Sequence, residues 1–138
     1  MPNPNNRQSL LQAIVAQPEH KEGRALVNVR EFFNGNDDLG SIGCNLAQHP
    51  GLVSFRRVLE HIQALTTVNQ VWLQIYDIEE GEWPFSENVL IFGEVTTAEV
   101  AKIATEIEPS EVNEMRMDWI PSRDSTLTGL RYVNLWWD

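Results

Sequence analysis

The order of helical and strand-like patterns predicts an α+β protein with a ferredoxin-like, split βαβ sheet and an extra N-terminal helix. After that first helix the patterns run strand, helix, strand, strand, helix, strand, which is the βαββαβ order of the split arrangement. The later helices have clear amphipathic or capping signals, and the strands alternate or are rich in β-branched residues. We therefore expect two right-handed crossovers and an antiparallel sheet whose helices cover one face.

The N-terminal region is predicted to be a tail followed by a short helix. Residues 1–6 are polar and are expected to be flexible, which leaves residues 7–138 as a single α+β domain. Ser9 and Gln12 have the spacing of a capping box, and apolar residues recur at helical spacing behind them. Because the residue before a proline avoids the α region, this helix should end before Pro18.

The first half of the βαββαβ unit contains a strand, a glycine-rich loop and the strongest helix. Residues 25–33 are rich in valine and phenylalanine, which predicts a strand. Residues 34–45 hold three of the eight glycines and the only cysteine of the chain. Residues 52–65 repeat apolar side chains on one helical face, with charged residues elsewhere around the helix.

The second half contains two more strands, a capped helix and a last strand. Residues 70–78 alternate between the two faces of a sheet, and residues 88–95 are nearly apolar on both faces, which predicts a central strand. A capping box opens a helix over residues 96–109. Residues 109–129 show no clear pattern, and residues 130–137 form the last strand.

The face of the sheet away from the helices is predicted to be aromatic. It would carry Trp72, Gln74, Tyr76, Tyr132, Asn134 and Trp136, with either Leu90 and Phe92 or Val89 and Ile91. Such a face requires a cover. The N-terminal helix or the segment 109–129 is one candidate, a second subunit packed sheet to sheet in a homodimer is another, and a ligand or peptide is the third.

Charge is segregated along the chain. The twelve acidic and two basic residues between Tyr76 and Asp118 account for the whole formal net charge of -10. A field of this sign repels nucleic acid, because nucleic-acid affinity comes largely from Lys and Arg side chains that neutralise phosphates. The charge favours a solvated, solubilising surface, and the functional alternative is a patch for a basic protein partner.

The sequence predicts a cytoplasmic protein that does not bind membranes. It has one cysteine and therefore no pattern of intramolecular disulfides. No apolar run approaches the ~20 residues that span a bilayer, and the first residues are polar rather than apolar. No cofactor and no metal are predicted.

The loop after the first strand is the main candidate for a small functional site. Its candidate residues are Asn36, Asp37, Asp38, Ser41, Cys44, Asn45 and His49. The loop lacks the spacing of a calcium-binding loop and has no Lys or Arg with which to hold a phosphate. Cys44 and His49 are the residue types of a nucleophile and a base, but the sequence places no third group beside them.

A second candidate lies in the acidic turn before residue 88. Trp83 and Phe85 follow a run of acidic residues, and exposed aromatic residues often anchor protein partners. The favoured interpretation, however, is that Trp83 or Phe85 folds back onto the edge of the sheet. Glu80, Glu82 and Glu87 also have the residue type of paired catalytic carboxylates, although nothing in the sequence places a sugar-binding cleft beside them.

Two functional hypotheses follow from these patterns. The preferred one is a non-catalytic domain that binds a protein partner, with the acidic segment steering a basic surface toward Trp83, Phe85 or the loop. The alternative is a small-molecule or enzymatic site within residues 34–51, where several polar side chains could converge.

Overall fold

The computed structural model describes residues 4–138, with side chains from residue 6 onward. Within this range five strands form one open antiparallel sheet, and four α-helices accompany it. The helices are α1 (Pro4–Val15), α2 (Val29–Phe33), α3 (Leu52–Gln63) and α4 (Thr97–Ile103). The strands are β1 (Ala25–Val27), β2 (Val68–Asp77), β3 (Phe85–Gly93), β4 (Glu111–Arg116) and β5 (Arg131–Trp136). The α+β class is therefore confirmed.

The strand order differs from the ferredoxin-like prediction. The order is β1-β2-β3-β5-β4, and each neighbouring pair is antiparallel. A right-handed crossover joins parallel strands, whereas β1 pairs directly with β2, with Ala25 opposite Ile75. The chain between them, which includes α2 and α3, thus returns to an antiparallel neighbour. The prediction of a split βαβ arrangement is therefore wrong for this chain, although the predicted extra N-terminal helix is present.

The fourth strand comes from the segment that gave no clear pattern. β4 is the edge strand beside β5, and Val112 is its one residue that is not fully exposed. Because its remaining side chains meet water on both faces, the strand shows neither alternation nor an apolar run. Charged side chains such as Glu111 and Glu114 also suit an unprotected sheet edge.

The expected strand over residues 25–33 is shorter and is followed by a helix. Asn28 accepts a hydrogen bond from the Glu31 backbone N–H at 2.8 Å, and the Glu31 carboxylate accepts one from the Asn28 N–H at 2.9 Å. This capping box opens α2 and directs Val29, Phe32 and Phe33 into the core. The helix at the N-terminus also begins earlier than expected, at Pro4, so Ser9 does not cap it. Of the expected tail, residues 1–3 lie outside the described residues, and residues 4–6 belong to α1.

All four helices pack on one face of the sheet. Leu10 and Ile14 of α1 and Phe55 and Leu59 of α3 belong to the same buried cluster as the odd-numbered strand residues. Those strand residues are Val71, Leu73, Ile75, Val89, Ile91, Val133 and Leu135. Helix α1 therefore does not cover the second face, which was one of the expected possibilities.

The second face is covered in part by the connection between β4 and β5. We call residues 117–130 the covering loop. Its neck is closed by two backbone hydrogen bonds of 2.9 Å, one from the Met117 N–H to the Leu130 carbonyl and one from the Gly129 N–H to the Met117 carbonyl. Met117 and Leu127 pack on Leu90, Phe92 and Tyr132, with Trp72 and Trp119 at the margin. The prediction that the 109–129 region covers this face is confirmed for the part of the face that Met117 and Leu127 contact.

The far end of the covering loop is attached to the β1 edge. Arg123 donates two hydrogen bonds to the Glu31 carboxylate, at 2.6 and 3.0 Å, and one to the Leu26 carbonyl at 3.2 Å. Its guanidinium lies 5.4 Å from the centre of the Trp72 ring. A two-pronged arginine–carboxylate pair fixes orientation as well as distance. Arg123 thus holds the loop across the width of the sheet.

A buried glutamine closes the outer edge of β1. The Gln17 side chain is 2% exposed. Its Nε2 donates to the Leu26 carbonyl at 2.9 Å and to the Ala13 carbonyl at 3.1 Å, and its Oε1 accepts from the Leu26 N–H at 2.9 Å. The amide therefore replaces the hydrogen bonds that a further strand would make, so it prevents another chain from pairing there.

Replacement of Gln17 by methionine should destabilise the protein. The variant keeps the side-chain volume but leaves the buried Leu26 N–H without an acceptor, and such a loss costs about 1–3 kcal/mol. Urea denaturation measures the free energy of unfolding. Gln12→Met, the same change at an exposed position of α1, is the matched control and should change stability by less than about 0.5 kcal/mol. Equal effects of the two substitutions would contradict the role given to Gln17.

Candidate functional site

The acidic cleft lies between the loop after α2 and the hairpin that joins β2 to β3. Its volume is about 360 Å³. Its lining residues are Asp38, Gly40, Cys44, Tyr76, Asp77, Glu79, Glu82, Trp83 and Phe85. The cleft brings together the two regions that the sequence indicated separately, the glycine-rich loop and the acidic turn.

Hydrogen bonds within the loop position Asp38. The Asn36 side chain donates to the Phe32 carbonyl at 3.3 Å and to the Ser41 hydroxyl at 3.0 Å, and its oxygen accepts from the Asp38 N–H at 2.9 Å. The Asp38 Oδ1 then accepts from the Gly40 N–H at 2.9 Å and opens a short 3₁₀ turn. The Oδ2 accepts from the Trp83 N–H at 3.3 Å, so Asp38 joins the loop to the hairpin.

Gly43 brings the loop close to helix α3. Its φ is +66°, and a Cβ at this position would lie 2.7 Å from the Phe55 ring. Glycine is therefore required both by the backbone conformation and by the packing. This contact gives the glycine a structural role.

His49 supports the same loop. Its Nε2 lies 2.7 Å from the Ile42 carbonyl, and its Nδ1 accepts a hydrogen bond from the Gly51 N–H at 2.9 Å. These partners assign the ring proton to Nε2. Both ring nitrogens are therefore engaged with backbone, whereas the exposed Cys44 thiol lies 3.7 Å from the Asn45 Oδ1. This arrangement gives no support to a Cys44–His49 nucleophile and base.

The expected aromatic anchor Trp83 is buried. Its side chain is 4% exposed, and its Nε1 donates to the Phe32 carbonyl at 2.9 Å. The interpretation of Trp83 as an exposed contact is therefore wrong, because the indole N–H finds its acceptor on α2, inside the core. Phe85 is half-buried and packs edge-on against Tyr76, with the ring centres 6.1 Å apart. Tyr76 is 59% exposed and is the aromatic residue that the cleft presents.

The predicted site residues divide into three groups. The acidic cleft is lined by Asp38, Cys44, Trp83 and Phe85; the loop is held by Asn36, Ser41 and His49; Asp37 and Asn45 are exposed outside the lining. Sequence reasoning missed Tyr76, Asp77 and Glu79 as cleft residues and considered Glu82 only as one of a catalytic pair. The run of acidic residues around the turn was the signal that could have placed them.

Negative charge is concentrated in the cleft, and its carboxylates repel one another. The Glu79 carboxylate raises the pKa of Glu82 by repulsion and by a hydrogen bond to it, and Asp38 adds a smaller repulsion. Arg7 is close, but it donates to the backbone carbonyls of Glu82 at 2.8 Å and Glu79 at 3.4 Å. No salt bridge within residues 6–138 reaches these carboxylates.

The described residues contain no candidate membrane-spanning helix and no candidate cluster of metal ligands. No helix in residues 4–138 combines the length and the apolar character needed to cross a bilayer. Over the same residues, no three His, Cys, Asp or Glu side chains are grouped as ligands of a metal ion would be.

The chain belongs to the YfbO family. The sequence model of the "Uncharacterized protein YfbO family" matches residues 5–134. One relative is the "Uncharacterized protein YfbO" of Escherichia coli (strain K12), which is 26% identical over 121 residues. That alignment covers 83% of this chain and 84% of the relative. No solved structure matches the chain.

Replacement of Glu79 by glutamine should lower the pKa of Glu82, because the largest cause of its increase is removed. A raised pKa in the folded state means that protonated Glu82 favours folding. This contribution is complete below the unfolded pKa and is lost as the pH rises through the folded pKa. The Glu79→Gln variant should therefore lose less stability between acidic and neutral pH.

Carbon-detected NMR titration of the Glu82 carboxyl measures this change directly. Glu80→Gln is the matched control, because Glu80 is exposed, adjacent, and not among the causes of the shift. A Glu82 titration that is identical in wild type and Glu79→Gln would show that the two carboxylates do not interact.

Proposed function

We propose that this protein is a non-catalytic acidic domain that binds a protein partner through a basic side chain placed in the acidic cleft. One observation supports this most directly. Asp38, Asp77, Glu79 and Glu82 line a single concave site, and repulsion from Glu79 and Asp38 raises the pKa of Glu82. A bound cation would relieve that repulsion, so the site favours Lys or Arg over neutral groups.

The aromatic wall of the cleft suits the same ligand. Tyr76 is exposed, and its ring is held edge-on by Phe85. A Lys or Arg side chain over an aromatic face gains about 0.5–1 kcal/mol at an exposed site, and more once desolvated. The carboxylates would supply attraction and the ring a preferred position, which together give selectivity for a basic side chain over a small inorganic cation.

The wider charge distribution would assist the encounter. The whole net charge of -10 lies between Tyr76 and Asp118, and this segment includes the cleft residues from Tyr76 to Phe85. Among its acids, only Glu106 and Glu114 form salt bridges within the described residues, with Arg57 and Arg131. Such a field raises the rate of association with a basic surface and weakens with salt.

The alternative of a small-molecule or enzymatic site in residues 34–51 has less support. The side chains of Asn36, Ser41 and His49 already have hydrogen-bond partners within the loop or at its ends. Few polar groups there remain to converge on a ligand. The cytoplasmic location and the sheet-to-sheet homodimer stay predictions from the sequence.

Binding of a fluorescent hexalysine peptide, followed by anisotropy, tests the proposed function. We expect saturable binding that weakens clearly from low to high salt, and no binding of the fully acetylated peptide. The double variant Glu79→Gln/Glu82→Gln should bind about three- to tenfold more weakly, because it removes two of the four carboxylates that line the cleft.

A variant with the same change in net charge is the control. Glu94 and Glu108 are exposed acids outside the cleft lining, and Glu94→Gln/Glu108→Gln should bind the peptide almost as wild type does. An equal loss of peptide affinity in both double variants would refute the cleft as the binding site. Binding would then depend only on the overall negative charge of the protein. Salt-insensitive binding would refute electrostatic steering.

A further inference from the structure

The two edges of the sheet are treated differently. At β1 the Gln17 amide occupies the backbone groups of Leu26, so that edge is closed. The opposite edge is β4, which pairs with β5 alone. Within residues 4–138 no hydrogen bond reaches the outward backbone groups of β4. We call this outer side of Glu111–Arg116 the open edge.

The β4–β5 ladder identifies the free backbone groups of the open edge. Just beyond β4, the Met117 N–H donates to the Leu130 carbonyl at 2.9 Å. Hydrogen-bonded pairs alternate along an antiparallel ladder, so the odd-numbered residues of β4 bond to β5. The even-numbered residues Val112, Glu114 and Arg116 therefore point their N–H and C=O groups away from the sheet. An added strand would find both donors and acceptors there.

The side chains of the open edge alternate between the two faces of the sheet. Val112 packs on the core beneath the helices, so Glu114 and Arg116 share the helix face with it. Met115 lies on the second face, opposite Tyr132, and is 43% exposed. An exposed apolar side chain thus stands between an acid and a base on an unpaired strand.

The two charged side chains keep unused hydrogen-bonding atoms. The Glu114 Oε1 accepts from the Arg131 guanidinium, and its Oε2 has no partner among the described residues. The Arg116 guanidinium donates to the Gly129 carbonyl at 2.8 Å through one of its three nitrogens. Both groups can therefore accept a further partner without giving up the one they have.

We propose that a second copy of this chain pairs with the open edge, so that two β4 strands run antiparallel and join the two sheets into one. A two-fold axis normal to the sheet, beside Met115, sets Glu114 of each copy opposite Arg116 of the other. Because both residues point their backbone groups outward, they form reciprocal hydrogen bonds. The two Met115 side chains meet at the axis and remove apolar surface from water.

Symmetry restricts the registers of this pairing. Opposed residues of antiparallel strands point to the same face, so a residue must oppose its own copy at a two-fold axis normal to the sheet. An axis beside Glu114 would oppose two like charges, which destabilises a cross-strand pair. An axis beside Asn113 would oppose Val112 to Glu114, an apolar to a charged side chain. The axis beside Met115 instead pairs Glu114 with Arg116 on both sides.

A basic strand from another protein suits the open edge less well. The charged side chains that β4 and β5 place on the helix face are Glu114, Arg116 and Arg131. Two cations beside one anion disfavour a further Lys or Arg, whereas the second copy brings its own Glu114. The proposal concerns a different surface from the acidic cleft and does not rest on partner binding there.

Sedimentation equilibrium tests the self-association. The net charge of -10 opposes the approach of two copies, so the measurement is made at ~0.15 M salt, where the Debye length is about 8 Å. At a few hundred micromolar protein we expect a monomer–dimer equilibrium that reverses on dilution, because an edge contact is small. Amide NMR should place the concentration-dependent shifts at residues 112–116. A monomer at every concentration, or shifts confined to another surface, would overturn the proposal.

A charge reversal tests the proposed ion pairs. Arg116→Glu sets like charges opposite each other on both sides of the axis and should weaken dimerisation at least about tenfold. Arg30→Glu makes the same change in net charge at an exposed position of α2 and should dimerise as wild type does. Both variants should keep the wild-type unfolding temperature within a few degrees. Dimerisation of Arg116→Glu as strong as that of Arg30→Glu would contradict the proposal.

Disulfide formation tests the register, in a Cys44→Ser background that removes the exposed native thiol. At the axis the two copies of residue 115 have Cα atoms about 4.5 Å apart, which a disulfide can span. Met115→Cys should therefore form a covalent dimer on mild oxidation. Asn113→Cys, on the same face, is the control, since its copies would lie about 14 Å apart along the strands. Equal linking of the two variants, or linking of neither, would overturn the proposed pairing.

Discussion

The structure depends on the need to cover a sheet that is apolar on both faces. Strand β3 buries Val89 and Ile91 against the helices and Leu90 and Phe92 on the other side. All four helices pack on the first face, so another part of the chain must cover the second face. The covering loop supplies it, and its position is set by the Arg123–Glu31 pair at the far edge of the sheet. Hydrogen bonds from Ser122 to Glu19 and from Gln70 to Asp124 hold the covering loop at further points.

The α+β class and most elements could be predicted because their signals are local. The alternation in β2 and the capping box of α4 depend only on neighbouring residues, and both elements are present. The strand order could not be read in this way, because β4 carries no pattern at an exposed edge. Helix α2 was missed for another reason: Phe32 and Phe33 favour a strand, but the reciprocal bonds of Asn28 and Glu31 outweigh that preference.

Only part of the candidate cleft could be predicted from the sequence, because only some of its residues have local signals. Asp38 and Phe85 were identified from unusual local composition, and they do line the cleft. Tyr76 was assigned to a sheet face, since alternation gives the face of a residue but not its distance from the strand end. Folding back of Trp83 or Phe85 was considered, but no sequence pattern shows that the indole N–H of Trp83 reaches the Phe32 carbonyl, 51 residues away. Contacts of this range require the fold itself.

The polar side chains of the second face are explained by the stability of the sheet. Gln74, Asn88, Asn134 and Asn113 lie where the covering loop stops, and they end the apolar surface by bonding one another. Asn134 is only 7% exposed, yet it has partners on both sides. The buried Nε1 of Trp119 has no partner among the described residues, and a phenylalanine would fill similar space without an unpaired donor. Because that nitrogen is closed to solvent, it costs stability and offers nothing to a ligand.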